Sequence, residues 1–178
     1  MEKSLSTKDM IMVGLMTALV FVAGSIIKIP TFGGGFVHIG DCMIFVSAVM
    51  LGAKKGAFAS GVGMFLVDVF AGYMIWAPFT LVIKAVMAFL AGTVIEKSVE
   101  KNLKVYLIAF LLAGAFMIVG YFIVGIIMGL LFTEGIDTIV AGMVYASHDI
   151  LLNVAQIAVG VVIALPLSGT VLRIRDGK

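Results

Sequence analysis

The chain has 178 residues, of which 62% are hydrophobic and only 12% are charged, and its mean hydropathy is +1.23. Such a composition excludes an ordinary soluble domain and predicts an integral membrane protein of the all-α class. The single cysteine, Cys42, excludes an internal disulfide and any CxxC metal or redox motif.

Long apolar stretches recur along the whole sequence and predict six transmembrane helices. About 20 apolar residues are needed for a helix to cross the hydrocarbon core. By that measure the predicted helices cover residues 10–27, 41–53, 56–73, 78–95, 105–132 and 145–171. The second is short for a full crossing, and Pro78 suits the first turn of the fourth. No linker divides the chain, so residues 1–178 are predicted to form a single membrane-embedded domain.

The placement of the basic residues predicts the orientation in the membrane. Ten of the twelve Lys and Arg residues fall in places that lie on one side if the helices alternate. These places are the two termini, the loop between helices two and three, and the loop between helices four and five. The positive-inside rule therefore puts both termini in the cytoplasm. Lys3 and Lys8 precede the first apolar stretch as in a signal peptide, but no small-x-small cleavage site follows, so that stretch is expected to be retained.

A few polar residues inside the apolar stretches are the candidates for function, because ionisable groups at bilayer depth are costly and usually mark a pathway or a ligand site. Asp68 and Lys84 lie roughly 8 and 9 Å below the outer ends of helices three and four, so they are predicted to meet as an ion pair. Asp149, Asn153 and Gln156 are spaced i, i+4, i+7 and share one helix face.

These polar positions are predicted to converge on one vestibule that opens to the exterior. The first outer loop adds His38, and the outer end of helix three and the loop after it add Tyr73 and Trp76. Tyr121 of the fifth helix is a further aromatic residue available for stacking against a ring. The run Gly33-Gly34-Gly35 makes the first outer loop a flexible hinge.

Structural roles are the alternative for several of these residues. Asp68 and Lys84 could form a buried ion pair that only fixes helix packing. Asn153 and Gln156 could be hydrogen-bond glue between helices. His38 could be an ordinary loop histidine, and Trp76 could belong to the interfacial aromatic belt.

Several kinds of chemistry have no motif in the chain. The sequence contains no Walker A loop, no HExxH and no Gly-x-Ser-x-Gly. No cofactor is expected, and the two histidines are too few for a transition-metal cage. An intramembrane hydrolase using Ser147, His148 and Asp149 is disfavoured, because consecutive residues point around a helix. The chain is therefore not expected to be an enzyme, and the main alternative is a small self-sufficient carrier or channel that uses Asp68 and Lys84.

The ordered motifs resemble the S component, the substrate-binding membrane subunit, of an energy-coupling factor (ECF) vitamin transporter. The resemblance covers nearly the whole chain and is closest to the branch for riboflavin, hydroxymethylpyrimidine or pyridoxine-like substrates. Its motifs are Lys28-Ile29-Pro30, Val37-His38-Ile39-Gly40-Asp41, Leu51-Gly52-Ala53-Lys54-Lys55-Gly56, Asp68 with Gly72-Tyr73, and Ala77-Pro78 with Lys84.

The resemblance implies a high-affinity subunit that binds a vitamin near its outer face and delivers it inward. Partners would be a transmembrane coupling protein and two ATPase subunits, in the cytoplasmic membrane of a prokaryote. The first outer loop would be the gate. The family's Ala-x-x-x-Ala docking motif on the first helix is matched by Gly14 and Ala18, with Gly in place of the first Ala. Nucleic acid is not an expected partner.

Overall fold

The computed structural model describes residues 6–175, which are almost entirely helical. Within this range the elements follow in the order α1 (Thr7–Ile26), β1 (Lys28–Pro30), β2 (Phe36–His38), α2 (Asp41–Ala71), α3 (Ala77–Lys97), α4 (Leu103–Phe132), α5 (Ile139–Ser147) and α6 (Ile150–Arg175). Five of these helices, all except α5, are long and apolar enough to cross a membrane. The apolar, all-α architecture predicted from composition is the one observed.

Helix α2 is broken at Gly52, where the chain reverses. Gly52 has φ 78° and ψ −176°, a conformation essentially restricted to glycine. The hydroxyl of Ser47 lies 3.4 Å from the carbonyl oxygen of Gly56, whereas nine residues of straight helix would separate them by about 13 Å. The arms 41–51 and 53–71 therefore run antiparallel and correspond to the second and third predicted helices. Glu96 of α3 accepts a hydrogen bond from the Ala53 N–H at 2.8 Å and caps the second arm.

The C-terminal third differs from the expected helix at 145–171. Residues 139–147 form the separate short helix α5, whose N-terminus is capped by Thr138 through a 3.2 Å bond from the Ala141 N–H. The chain then turns and α6 begins at Ile150. Helix α5 packs against α4, since a Cβ added at Gly125 would lie 3.0 Å from the Ala146 side chain. The small residues of α4 thus serve internal packing at this point.

The helices alternate in direction around a common core. Helix α1 runs parallel to the arm 53–71, because Thr17 and Val20 contact Gly63 while Gly24 contacts Val67. Helices α3, α4 and α6 then pack antiparallel in turn, through the contacts Gly61–Ala85, Ile83–Gly120 and Gly114–Ile157. Stacked Phe45 and Phe110 lie in the core with ring centroids 4.4 Å apart. Large apolar side chains on the outer faces, such as Leu151 and Val162, are exposed, as a lipid environment requires.

The bundle has two chemically different ends. At the hairpin end lie the antiparallel strands β1 and β2, in which Ile29 faces Val37, together with the turn between α2 and α3. At the opposite end, called the basic end, lie the described residues Lys8, Lys54, Lys55, Lys97, Lys101, Lys104 and Arg173. Lys3 and Lys178, which also entered the orientation prediction, lie outside the described residues.

Candidate functional site

A cavity lies beneath the β-hairpin and is enclosed by elements from the whole chain. Its volume is about 40 Å³. The hairpin, the end of α2, the start of α3, the middle of α4 and the start of α6 all contribute to it, and α5 closes one side. The lining residues are Thr31, Gly35, Phe36, His38, Asp68, Tyr73, Trp76, Thr80, Tyr121, Gly125, Ala146, Asp149, Asn153 and Gln156.

Eight of the nine residues predicted to contact a ligand line this cavity; Lys84 is the exception. The spacing argument for Asp149, Asn153 and Gln156 therefore places them together on one side of it. Gly35 also lines the cavity, while Gly33 and Gly34 form the tip of the hairpin above it. Their contacts with a ligand stay predictions, since the geometry places them around one space without identifying what fills it.

Lys84 corrects the prediction of an ion pair with Asp68. Its ammonium group instead donates to Asp41 Oδ1 at 2.6 Å, and both side chains are fully buried. The hairpin folds back into the bundle and delivers Asp41, the first residue of α2, to the depth of Lys84. An aspartate at this position also faces the positive end of the α2 helix dipole. The two partners of the ion pair therefore belong to different helices, and the spacing of residues along one helix could not predict that they meet.

The same carboxylate links α6 to the hairpin. Gln156 donates from Nε2 to Asp41 Oδ2 at 2.7 Å and accepts at Oε1 from the His38 N–H at 2.9 Å. Both oxygens of Asp41 are therefore engaged, one by Lys84 and one by Gln156. This buried chain of polar contacts joins α3, α2, α6 and β2. Lys84, Asp41 and Gln156 each have at least one hydrogen-bond partner, as buried polar groups require.

The tip of the hairpin is tied to α6 at a second point. The Gly33 N–H donates to the Asp149 carboxylate, 3.1 Å from Oδ2 and 3.3 Å from Oδ1. A Cβ at Gly33 would collide with this carboxylate, so only glycine permits the approach. Gly34 next to it has φ 73°, the left-handed conformation that glycine adopts at little cost. The glycines predicted as a hinge thus form a turn held against Asp149.

Asp68 occupies a different position from the ion pair. Its side chain is only 4% exposed and faces the cavity, with the Thr80 hydroxyl as a hydrogen-bond partner. Thr80 in turn accepts from the Tyr121 hydroxyl at 3.2 Å. Asp68 Oδ2 has no hydrogen-bond partner in the described part of the chain. Sequence reasoning missed Thr80, although a hydroxyl seven residues after Tyr73 and three after the start of α3 was visible as a polar residue in an apolar run.

Aromatic rings form much of the cavity wall. Phe36 of β2 lies against Tyr73 with ring centroids 4.8 Å apart, and Trp76 lies 6.4 Å from Tyr121. The Lys84 ammonium sits over the Tyr121 ring, 5.3 Å from its centroid, in a cation–π arrangement. Phe36 could have been expected from the alternation of the hairpin, whose Phe36 and His38 point to the same side.

His38 is held as a neutral imidazole. Its Nδ1 accepts from the Gly40 N–H at 3.0 Å, so the ring proton resides on Nε2. Burial, together with the positive charge of Lys84, lowers the pKa of His38 to about 4. A neutral histidine at the floor of the cavity offers polar contact without adding a second cation beside Lys84.

The structure does not support the hydrolase alternative. The Ser147 hydroxyl donates to the Val144 carbonyl at 2.7 Å, and Asp149 bonds to Gly33. His148 Nδ1 lies 3.2 Å from the Tyr145 carbonyl oxygen. The three side chains thus engage three different backbone groups. Among residues 6–175, no group of three or more His, Cys, Asp or Glu residues is placed to hold a metal ion.

The predicted docking residues lie toward the basic end of α1. Gly14 and Ala18 are exposed on its outer face, and Gly14 has no atom within 4 Å of the position that a Cβ would take. Beside them runs an apolar groove between α1 and α2, lined in part by Val13, Gly14 and Phe58, with Lys54 and Lys55 at its end. Only this face of α1 is uncovered, because Met16 and Val20 are buried against the bundle.

The chain is similar to a family of known proteins and to individual relatives. The family model described as "ECF-type riboflavin transporter, S component" matches residues 4–173. The thiamine precursor transporter HmpT of Lactococcus lactis subsp. cremoris (strain MG1363) is 30% identical over 168 residues, which are 93% of this chain and 89% of that protein. An uncharacterized protein in the gap 3' region of Pyrococcus woesei is 38% identical over 103 residues, 57% of this chain and 68% of that protein. The family match includes the hairpin and every residue that lines the cavity.

Proposed function

Because the chain belongs to the S-component family of ECF-type transporters, we propose that it is the high-affinity binding subunit for a small water-soluble vitamin or vitamin precursor. The observation that carries the proposal is the cavity under the β-hairpin. It combines aromatic walls with a few convergent polar groups, the composition expected of a small-molecule site. No covalent step is assigned to the chain.

The ligand class is narrowed by the relative. HmpT is named a thiamine precursor transporter, and it is similar over nearly its whole length. We therefore favour a hydroxymethylpyrimidine-like precursor, ahead of pyridoxine and of the three-ring riboflavin.

The residues of the site divide into ligand contacts and positioning groups. Asp68 and Asn153 are assigned to polar contacts with the ligand, and Tyr73, Trp76 and Tyr121 to stacking. Lys84 and Gln156 act through Asp41, which they hold in place beneath the cavity. The hairpin around Gly33, Gly34 and Gly35 acts as the gate, and Asp149 holds it shut.

Transport is assigned to an assembly. The chain would associate with a transmembrane coupling protein and two ATPase subunits, docking through Gly14 and Ala18. The reversal at Gly52 supports six crossings, with the arms 41–51 and 53–71 as the second and third. In this orientation the basic end and both termini face the cytoplasm of a prokaryotic cell, and the cavity opens outward.

The single tryptophan provides a direct test of binding. Trp76 lines the cavity, so a bound ring should change its fluorescence. Purified full-length protein in detergent is titrated with hydroxymethylpyrimidine, pyridoxine, thiamine and riboflavin. We expect saturable quenching by a single-ring ligand, with calorimetry confirming the same affinity. Trp76→Phe should abolish the optical signal and leave a calorimetric one. Absence of saturable binding to every compound would reject the proposal.

A cellular uptake assay separates the binding subunit from a self-sufficient carrier. Cells that express the chain alone should bind the labelled ligand without accumulating it. Cells that also express a coupling protein and ATPases should accumulate it, and an inactive ATPase should prevent this. Accumulation in cells without any such module would favour the carrier instead.

A further inference from the structure

A groove separate from the cavity opens at the basic end of the bundle, between the start of α4 and the end of α6. The two helices touch there, since a Cβ added at Gly169 would lie 3.4 Å from Leu103 Cδ2. The lining residues are Lys101, Asn102, Leu103, Lys104, Pro166, Gly169, Thr170, Leu172 and Arg173. Among these described residues none belongs to α1, so the groove is distinct from the face proposed for docking.

Three cations line this groove, and the described part of the chain supplies no counterion for them. Lys101 and Lys104 come from the α4 side and Arg173 from the α6 side, and all three side chains are exposed. None of them forms a salt bridge with a described residue, whereas Lys55 at the same end of the bundle is paired with Asp9. The groove therefore concentrates positive charge that is available to an anion.

The acidic residue that precedes these cations in the chain is bonded elsewhere. Glu100 accepts a hydrogen bond from the side-chain amide of Asn102 at 3.1 Å. Asn102 Oδ1 in turn accepts from the Val105 N–H at 3.0 Å and caps α4. The positive end of the α4 helix dipole thus lies beside the lysines and adds to the attraction for an anion.

The walls of the groove are apolar on the side that faces the middle of the bundle. Leu103 is exposed, and Leu107, also exposed, continues the same face of α4 one turn deeper. Pro166 lies seven residues before Arg173, which is about 10 Å deeper along α6. The hydroxyl of Thr170 donates to the Pro166 carbonyl at 3.2 Å, so its proton is already used. The groove therefore joins a cationic mouth to apolar walls at the depth of lipid.

We propose that this groove binds an anionic phospholipid, whose phosphate pairs with Lys104 and Arg173 while an acyl chain lies against Leu103 and Pro166. Basic pockets between membrane helices are suited to anionic lipid headgroups. A guanidinium group can hold two phosphate oxygens at once, and an ammonium group adds a point charge. The lipid fixes the α4–α6 side of the bundle to one leaflet, whatever ligand the cavity takes.

The apolar walls distinguish a phospholipid from other anions. Inorganic phosphate, or an acidic segment of a soluble protein, would neutralise the cations and leave the apolar walls uncovered. A phospholipid covers both parts of the groove, because its charge and its hydrocarbon chain belong to one molecule. Two basic residues near the membrane surface support a preference for an anionic lipid of about 30-fold.

The test measures lipid binding to charge-matched variants. Purified, delipidated full-length chain in detergent is mixed with phosphatidylglycerol or with phosphatidylcholine of the same acyl chains, and native mass spectrometry counts the bound lipids. We expect the wild type to bind phosphatidylglycerol about 30-fold more tightly. Lys104→Gln/Arg173→Gln should weaken that binding about 30-fold. The control Lys8→Gln/Lys97→Gln removes two exposed cations of the same end that lie outside the groove, and it should change the affinity by less than about threefold.

A competition on the wild type covers failure of the double variant to fold. Glycerol 1-phosphate carries the phosphate without acyl chains, so it should not displace phosphatidylglycerol at equal concentration. Displacement at equal concentration would assign the groove to a free phosphate anion and overturn the proposal. Equal binding of the two lipids, or equal losses in the two double variants, would reduce the effect to a general attraction of the basic end and overturn it too. If Lys104→Gln/Arg173→Gln kept its lipid but lost association with an ECF module, the groove would belong to a protein partner instead.

Discussion

The buried ion pair between Lys84 and Asp41 has an exposed counterpart in the same protein. Lys55 and Asp9 also approach to 2.6 Å, but their side chains are 36% and 38% exposed, against 0% for both partners of the buried pair. Both pairs join a lysine ammonium to an aspartate Oδ1 at the same distance, but the two pairs differ in their exposure to solvent. They therefore isolate what burial does to a salt bridge.

Removing one partner of the buried pair should destabilise the protein strongly. Lys84→Met leaves the Asp41 charge without its main partner, at a cost of about 3 to 5 kcal/mol. The double variant Lys84→Met/Asp41→Asn should recover part of that loss, because no uncompensated charge remains. Thermal unfolding of the purified protein in detergent measures both.

The exposed pair supplies the control. Lys55→Met should leave the unfolding midpoint essentially unchanged, since water and salt screen an exposed pair. Equal effects of Lys55→Met and Lys84→Met would contradict the contribution assigned to burial.

At the level of single residues, the sequence predicted which side chains gather but not how they pair. Helix spacing was enough to bring Asp149, Asn153 and Gln156 to one face, because the helical period is fixed. The partner of Lys84 could not be predicted, since it depends on how deeply the hairpin carries Asp41 back into the bundle. That depth is a tertiary property without a local signal.

Among the elements, the β-hairpin is the piece expected to move. It is held to α6 by Asp149 at its tip and by Gln156 near its base. Only the tip contact is independent of the buried ion pair, so it can be weakened without disturbing the core.

Asp149→Asn should therefore loosen the proposed gate selectively. The Gly33 N–H then meets a neutral amide oxygen, which accepts a weaker hydrogen bond than a carboxylate. We expect the ligand to dissociate about tenfold faster with little change in thermal stability. Stopped-flow fluorescence of Trp76 measures the rate, and Asp137→Asn serves as the control. An unchanged dissociation rate would argue that the tip contact does not hold the ligand in.

The reversal at Gly52 makes a second prediction at this scale. A side chain there would require a backbone conformation reserved for glycine and would collide with Glu96. Gly72 also has a positive φ, of 85°, but open space around it. Gly72→Ala should cost about 1 kcal/mol and Gly52→Ala about 3 kcal/mol or more, as judged by thermal unfolding. Similar losses would contradict the greater strain assigned to a side chain at Gly52.

The helix boundaries were predicted well where the sequence has long apolar runs. The long apolar runs gave α1, α3 and α4 to within three residues. Helix α5 was missed because its nine residues are too few to register as a span, and its Thr138 cap is a common residue type. The break between Ser147 and Ile150 was missed because apolar residues continue on both sides of it.

For the whole molecule, apolar length and alternation predicted a helical bundle with all its described basic residues except Lys28 and Lys84 at one end. The arrangement of neighbours, such as α1 lying parallel to the arm 53–71, could not be derived from it. That arrangement follows from close contacts like those of Gly63 with Thr17 and Val20, which require knowing which faces meet.

The uncovered face of α1 carries the last prediction, because an assembly needs a surface that the isolated bundle leaves free. Gly14→Leu places a large side chain where the structure has open space, so folding and ligand binding should be unaffected. Close helix approach at a small-xxx-small face should be blocked, and uptake through the ECF module should be abolished. Ala115→Leu, which also introduces a leucine at an exposed position of α4, should leave uptake intact. Co-purification of the module with each variant, beside the uptake assay, separates failed docking from failed transport. If Gly14→Leu retained both association and uptake, the coupling protein would have to dock on another face of the bundle.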